Sequence, residues 1–290
     1  MLTRSYTSSS PPIVNDTLAQ IASSLPPATQ AAMLRVSKQF HAVVAPILYH
    51  SVAIFCPGEQ HDINNPDPHC PFRLLNCLVS SLRHISSPEY ERCYVVYIRQ
   101  LTFISCDFTS DLRAIPMLSE VLRFAYRLTH AQLDVCEESV PLTLDILRRH
   151  EIIRQPTGFT LQSFLSQDTV LLHLPALVSI RSTSPEIITE LLRHRSVSTV
   201  AFDDSLTERQ FSKILSMTST ARYSHISRLS IHLSITLSRY SYFTNVLHAL
   251  ALAFPLVQHL GLRVPVGMVL ECLEVRLPVL CETRSLYGLR

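Results

Sequence analysis

Two short apolar stretches, Val197-Ser-Thr-Val-Ala-Phe202 and Ser227-Arg-Leu-Ser-Ile-His232, decide how this chain is expected to fold. Both are rich in β-branched and apolar residues, which is typical of strands. Ser205 and Glu208 fit a capping box that begins a helix between them. Three apolar residues would form one face of that helix: Phe211, Ile214 and Leu215. A strand, a helix and a second strand in this order predict a parallel pair of strands.

Similar stretches occur from about residue 95 to the C-terminus: Leu101–Cys106, Gln132–Val135, Leu177–Arg181, Gln258–Arg263 and Arg284–Tyr287. The centres of all seven are Leu101, Leu133, Ile180, Val200, Leu229, Leu260 and Leu286, with gaps of roughly 32, 47, 20, 29, 31 and 26 residues. Leucine-rich repeats have periods of about 20–29 residues. The pattern therefore predicts an α/β chain whose residues 95–290 form an irregular leucine-rich repeat-like solenoid with a mainly parallel sheet. The longest gap could hold one more unit near residues 159–164, and an α/β domain without repeats remains an alternative.

The glycine content limits the possible chemistry. The chain has only five glycines in 290 residues, at positions 58, 158, 261, 267 and 288. Loops that cradle phosphate groups need clustered glycines, because only glycine lets the backbone come close to the ligand. The nucleotide-binding loop motifs and the nucleophile elbow of α/β-hydrolases cannot be written from these positions. We expect a protein that is not an enzyme and that holds no cofactor.

Charge and hydropathy exclude two classes of partner. The formal net charge is +2, and no basic stripe marks a nucleic-acid or membrane footprint. The most apolar window, Val246–Val257, is too short to span a membrane and is predicted to be a buried helix. The first twelve residues are polar and lack the apolar core of a signal peptide. We therefore expect a cytoplasmic or nuclear protein whose eight cysteines are reduced.

The N-terminal part of the chain has a different sequence pattern, with helical in place of strand-like periodicity. Residues 1–11 are predicted to be a disordered tail, and residues 12–50 to be three short helices. The first begins at Asn15 or Asp16, the second runs from about Ala28 to Val36, and the third carries Phe40 to Leu48. Residues 51–94 are predicted to be a linker made of a short strand at 51–55, a proline-rich loop and a helix at 72–85.

The segment from Pro12 to Val52 resembles the F-box family. Pro12, Asp16, Leu18, Ile21 and Leu25 stand where that motif has a proline, an acid and an apolar first helix, and Val36-Ser37-Lys38-Gln39-Phe40 matches its second half. Ala45–Tyr49 and Ser51-Val52 look like the continuation found in fungal F-box-like proteins, which often carry irregular leucine-rich repeats. The chain departs from the motif at Ile13-Val14-Asn15, which replaces the usual opening, and in its alanine-rich second helix.

The resemblance implies a substrate-recognition subunit of an SCF-type cullin–RING ubiquitin ligase. The F-box would dock onto a Skp-type adaptor and through it onto cullin, and the repeats would hold an unknown protein substrate. The residues that it assigns to adaptor binding are Pro12, Leu18, Ile21, Leu25, Pro26, Leu34, Val36 and Phe40. A protein-interaction scaffold, in which the three helices only cap the end of the repeats, remains an alternative, because solenoid ends need a cover.

Three further patterns favour structural roles over chemical ones. The loop with Cys56, His61, His69, Cys70 and Cys77 has metal-ligand residue types, but their spacing is wider than zinc sites use. The adjacent acids Glu137-Glu138 are predicted to precede a helix, and Asp203-Asp204 to close a strand and start a helix, where the helix dipole favours them. At the C-terminus, a helix at 266–273 is predicted before the last strand. The chain then stops with no further cover, which predicts a truncated array or an edge covered by another chain.

Overall fold

A computed structural model of the chain describes residues 15–56, 71–86, 92–153, 174–192, 195–218, 225–233, 240–266 and 269–276. Within these ranges it has nine α-helices and eight strands in one sheet. The predicted tail at 1–11, Pro12, the possible unit near 159–164 and the strand expected at Arg284–Tyr287 lie outside the described residues.

Helices and strands alternate along the chain after an all-helical start. The helices are α1 (Asn15–Ser23), α2 (Pro27–Met33), α3 (Lys38–Leu48), α4 (Pro71–Ser81), α5 (Phe108–Phe124), α6 (Val140–Arg149), α7 (Pro185–Leu192), α8 (Glu208–Thr218) and α9 (Tyr240–Ala253). The strands are β1 (Ser51–Cys56), β2 (Gln100–Ser105), β3 (His130–Asp134), β4 (Ser179–Ser182), β5 (Thr199–Leu206), β6 (Arg228–Leu233), β7 (His259–Val266) and β8 (Val269–Arg276).

The sheet follows the order of the chain, from β1 at one edge to β8 at the other. Strands β1 to β7 are all parallel, and only β8 runs antiparallel to its neighbour. The predicted α/β class with a mainly parallel sheet is thus confirmed. The sheet begins at Ser51, well before the boundary expected at residue 95, so the predicted linker 51–94 contributes a strand to it.

One core lies between the sheet and the helices. Alternate strand residues are buried and belong to the same apolar cluster as the helix residues that cover them: Val52, Ile54, Leu101, Phe103, Ala131, Leu133, Ile180, Val200, Leu229, Ile231, Leu260 and Leu262. The buried faces of α5 and α7 join this cluster through Ile115, Leu118, Leu122, Ile187, Ile188 and Leu191. The intervening residues of β1, β2, β4 and β6 are half-buried or exposed, whereas on β3 Asp134 is buried. The helices therefore cover one face of the sheet and leave the other open.

A repeated backbone contact joins the turns that precede successive strands. The carbonyl of His50 accepts the N–H groups of both Arg99 and Gln100, at 2.9 and 3.0 Å. The carbonyls of Arg99, Thr129, Val178, Ser198 and Ser227 each accept two N–H groups from the next turn in the same way. The hydroxyl groups of Thr129, Ser198 and Ser227 also donate to the carbonyl of the preceding turn. These bonds satisfy backbone groups just outside the strands and extend the pairing beyond the sheet.

Three local predictions were wrong. Helix α2 ends at Met33, and residues 34–36 form a turn instead of its last part. Strand β5 continues to Leu206, so that Thr207 and Gln210 form the capping box of α8, with the Gln210 side chain 2.9 Å from the Thr207 N–H. The helix expected at 266–273 is instead β8, because pairing with β7 over eight residues satisfies its backbone as a hairpin.

Candidate interaction surfaces

The three N-terminal helices form a small unit of their own. Helix α3 packs against both α1 and α2. Leu18 and Ala22 of α1 and Val44 and Ala45 of α3 are all buried. The hydroxyl of Ser37 caps α3 by accepting the Phe40 N–H at 3.2 Å. Because Leu18 is buried inside the unit, it holds the helices together and is removed from the predicted contact set.

The other predicted adaptor-binding residues divide by exposure. Val36 is 66% exposed and Ile21 is 47% exposed, so both have apolar surface that a partner could cover. Pro26 is exposed as well, whereas Leu25, Leu34 and Phe40 are half-buried. Pro12 lies outside the described residues. The structure thus leaves apolar side chains of all three helices, or of the turns that join them, in contact with solvent.

A buried amide fixes the turn that carries two of these residues. The Gln30 side chain, on α2, donates to the carbonyls of Ala22 and Leu25 at 2.9 and 3.0 Å. It therefore ties the end of α1 to α2 and holds the Leu25-Pro26 turn between them. Sequence reasoning missed this residue, although a polar side chain on the inward side of a short helix is a signal that it has a partner.

Helix α3 is attached to the rest of the chain by an aromatic contact. The ring of Tyr49 stacks on Tyr94, with centroids 4.3 Å apart and planes within 9°. His41 Nε2 lies 3.3 Å from the Tyr94 hydroxyl, and the Ser81 hydroxyl accepts the Tyr94 N–H at 3.2 Å. Burial raises the pKa of both phenols, so each stays protonated and uncharged in this contact. The helical unit is thus fixed to the segment that leads into β2.

The open face of the sheet is a second candidate surface, and its residues line up in rows across the strands. One row, in register from β1 to β7, is mainly polar: Ser51, Gln100, His130, Ser179, Thr199, Arg228 and His259. The next row contains Ala53, Thr102, Gln132, Arg181, Ala201, Ser230 and Gly261. A third row begins with Phe55, Ile104 and Asp134. We call this surface the open sheet face.

Four side chains form a polar network on the open sheet face. Gln132 Nε2 donates to Asp134 Oδ2 at 2.7 Å and lies 3.5 Å from Asp203 Oδ2. Arg181 Nε donates to that same oxygen of Asp203 and forms an ion pair with it. The remaining oxygen of Asp134 accepts the Thr183 N–H at 2.7 Å. The network crosses β3, β4 and β5, and so joins three successive strands.

Burial dominates the electrostatics of this network. Asp134 is only 7% exposed, and desolvation raises its pKa, against the opposing effect of the Gln132 and Thr183 hydrogen bonds. The hydrogen bond to Asp203 is the largest effect on Arg181 and raises the pKa of its guanidinium. Asp203-Asp204 was predicted to close a strand and start a helix: the pair does lie near the end of β5, but the strand continues to Leu206, the helix begins only at Glu208, and Asp203 is paired across the sheet.

Two further groups of catalytic residue types lie in the described part of the chain. Ser119 Oγ lies 2.8 Å from His150 Nδ1, and Glu120 Oε1 lies 3.5 Å from that nitrogen. The serine is fully buried and also within 2.9 Å of the Pro116 carbonyl, so no substrate reaches its hydroxyl. Glu137 and Glu138 occupy a 3₁₀ turn directly before α6, as predicted for acids at a helix start.

Comparison with known proteins leaves the family of the chain open. No protein-family model matches the sequence, and no curated protein is similar to it. Among the described residues, no three His, Cys, Asp or Glu side chains come together as metal ligands would, and no helix has the length and apolar character needed to cross a membrane. His61, His69 and Cys70 of the predicted loop lie outside the described residues.

Proposed function

We propose that the chain is a substrate-recognition subunit of an SCF-type cullin–RING ubiquitin ligase. Its three N-terminal helices would act as an F-box that binds a Skp-type adaptor and, through it, cullin. The sheet domain would hold a protein target, and the chain itself would carry out no chemistry. The proposal combines the resemblance of residues 12–52 to the F-box motif with the two surfaces described above.

The observation that carries the proposal is the exposure of Val36 and Ile21. A helical unit that served only to cover the end of the sheet would turn its apolar side chains toward that end. Here α3 uses Tyr49 and His41 for that contact, while Val36 and Ile21 remain in solvent. Docking onto a partner would remove both of these apolar side chains from water, which is favourable.

The repeated carbonyl contact supports the finer part of the fold proposal. Each turn before a strand repeats the same two hydrogen bonds to the turn before it, over six successive steps. Such nearest-neighbour repetition is what a stacked array of units requires. We therefore interpret the described strands β1 to β7, with the helices that cover them, as irregular leucine-rich repeat-like units, and the open sheet face as the surface that receives the target.

Adaptor binding can be tested with one charge placed at the exposed valine. Full-length chain and a Skp-type adaptor are co-expressed, and the adaptor is measured after affinity purification of the chain. We expect binding in the wild-type chain and its loss in Val36→Asp, because an unpaired charge in an apolar interface costs several kcal/mol. Leu252→Asp is the matched control, since Leu252 of α9 is 71% exposed and far along the chain. Adaptor binding that survives Val36→Asp would count against this docking surface.

A protein-interaction scaffold without a ligase is the second candidate. The observation that favours it is the aromatic contact between Tyr49 and Tyr94, which makes the helical unit part of the same body as the sheet. In that case the wild-type chain would fail to capture the adaptor at any concentration tested, although it is folded. The same co-expression experiment therefore separates the two candidates.

A further inference from the structure

We propose that the open sheet face binds an extended protein segment in which an apolar residue and a basic residue stand three or four positions apart. The proposal rests on the target-holding part of the proposed function, and it names the chemistry of the target. It does not depend on adaptor docking. The two halves of the surface are the apolar pair on β1 and β2 and the acidic network on β3 to β5.

The apolar half is formed by Phe55 and Ile104. These residues are register partners on β1 and β2, so their side chains lie next to each other on the same face of the sheet. Phe55 is 58% exposed, which leaves most of its ring in solvent. An aromatic ring beside a branched aliphatic side chain on a rigid sheet provides a contact for one large apolar side chain of a partner.

The acidic half consists of the carboxylates of the polar network, Asp134 and Asp203, together with the neighbouring Asp204. The carboxylate of Asp203 pairs with the guanidinium of Arg181, which also interacts electrostatically with Asp134, and the exposed Asp204 follows Asp203 in β5. Within the described residues, one oxygen of Asp203 accepts from Gln132 and Arg181, and no hydrogen bond reaches its other oxygen, Oδ1. Asp204 is exposed, and one of its oxygens accepts the N–H of Ser205. The remaining acceptors can bind the N–H groups of a lysine or arginine, for which arginine offers two parallel bonds.

The spacing follows from the geometry of the sheet. Neighbouring strands lie about 4.8 Å apart, so Ile104 on β2 and the middle of the acidic network, near β4, are separated by about 10 Å. The midpoint of the Phe55–Ile104 pair is about 12 Å from the same place. An extended chain covers about 13 Å in four residues, and a polyproline-type chain about 9 Å in three. In both conformations the two side chains point to the same side, toward the sheet.

A peptide selection tests the proposal directly. Full-length chain is immobilised, and random dodecapeptides displayed on phage are selected for binding to it. The same selection is made with Asp203→Asn, Phe55→Ser and Asp145→Asn. Asp145, on α6, is the control because it loses the same charge on the helical side, where it pairs with Arg149. Circular dichroism of each variant checks that its fold is intact.

We expect the wild-type chain and Asp145→Asn to enrich peptides that place Arg or Lys three or four positions from Leu, Phe or Met. Asp203→Asn should lose the basic preference and keep the apolar one, and Phe55→Ser should do the reverse. A synthetic wild-type-selected peptide should bind Asp203→Asn about tenfold more weakly, which corresponds to about 1.4 kcal/mol.

Three outcomes would overturn the proposal. They are the absence of enriched peptides, the enrichment of acidic or uncharged peptides, and selection of the same basic peptides by Asp203→Asn. If the chain self-associates and Asp203→Lys abolishes this, the open sheet face binds a second copy of the chain, and the peptide proposal is also refuted. The selection uses no adaptor, so its failure leaves the adaptor experiment unaffected, and a negative adaptor experiment leaves this result unaffected.

Discussion

Replacing Gln30 with alanine should loosen the turn between α1 and α2. The substitution removes two buried hydrogen bonds, to the carbonyls of Ala22 and Leu25. Each such bond contributes about 0.5–1.5 kcal/mol net, so their sum is about 1–3 kcal/mol. Two effects reduce this loss: alanine has the higher helix propensity, and the Ala22 carbonyl keeps its bond to the Leu25 N–H at 3.1 Å. We expect a net loss of about 1–2 kcal/mol in local stability.

Hydrogen exchange measured by mass spectrometry gives the local stability of this unit, because amide exchange reports local opening. Peptides covering residues 15–33 should exchange about five- to thirtyfold faster in Gln30→Ala, since 1.4 kcal/mol corresponds to a factor of ten. Gln39→Ala is the matched control, because Gln39 donates to Asn15 at 3.0 Å in an exposed contact worth less than about 0.5 kcal/mol. Equal increases in exchange rate for the two substitutions would refute the conclusion that the Gln30 side chain holds α1 and α2 together.

Three further substitutions test the core, the network and the aromatic contact. Phe103→Ala should destabilise the chain to urea by about 3–5 kcal/mol, whereas Phe55→Ala, on the neighbouring strand but exposed, should cost less than about 1 kcal/mol; similar values would contradict the assignment of the two sheet faces. The pKa of Asp134 is raised in the folded state, so between the ordinary and the raised pKa the folded state binds more protons than the unfolded state. As pH rises through that window, the contribution of Asp134 to the free energy of unfolding therefore falls. The melting temperature of Asp134→Asn minus that of the wild type should therefore increase as pH rises from 3 to 7, and a difference that does not change with pH would exclude this role. A double-mutant cycle of Tyr49→Leu and Tyr94→Leu should give a coupling energy of about 0.5–1.5 kcal/mol, and additive effects would show that the stack contributes nothing.

The strands could be predicted because their local patterns and their tertiary roles agree. Residues 228–233 and 199–206 alternate buried and open positions along most of their length, and the structure places both in the sheet. Among the described residues, the centres chosen from sequence are in register except at β3, where Ala131, not Leu133, pairs with Leu101; Leu286 lies outside the described residues. A small residue in the buried row gives a weaker hydrophobic signal than leucine, and this explains the shift of two residues.

The predictions failed where long-range pairing determines the structure. A helix was predicted over Val266–Leu273, but Val266 ends β7 and Val269–Arg276 form β8, because antiparallel pairing with β7 decides the state of this segment. Asp203 was expected at the end of a strand and the start of a helix, and its pairing with Arg181, 22 residues earlier, was missed. Neither relation is local, so neither can be seen until the strands are placed side by side.

The candidate surfaces were predicted only in part. The motif at residues 12–52 identified the helical unit and two of its exposed apolar residues, but it could not separate Leu18, which is buried, from Ile21, which is exposed. Both lie on α1 in an apolar pattern, and only the position of α3 decides which of them is covered. The polar network on the open sheet face was missed, because its four residues come from three separate strands.

The most direct test of the account is the affinity of the purified full-length chain for a purified Skp-type adaptor, measured by isothermal titration calorimetry. The account predicts one-to-one binding with a dissociation constant of about 1 µM or tighter, which corresponds to about −8 kcal/mol. It also predicts that Val36→Asp weakens this binding at least a hundredfold, while Leu252→Asp leaves it unchanged. The absence of binding by a chain whose circular dichroism shows a folded α/β protein would contradict the account.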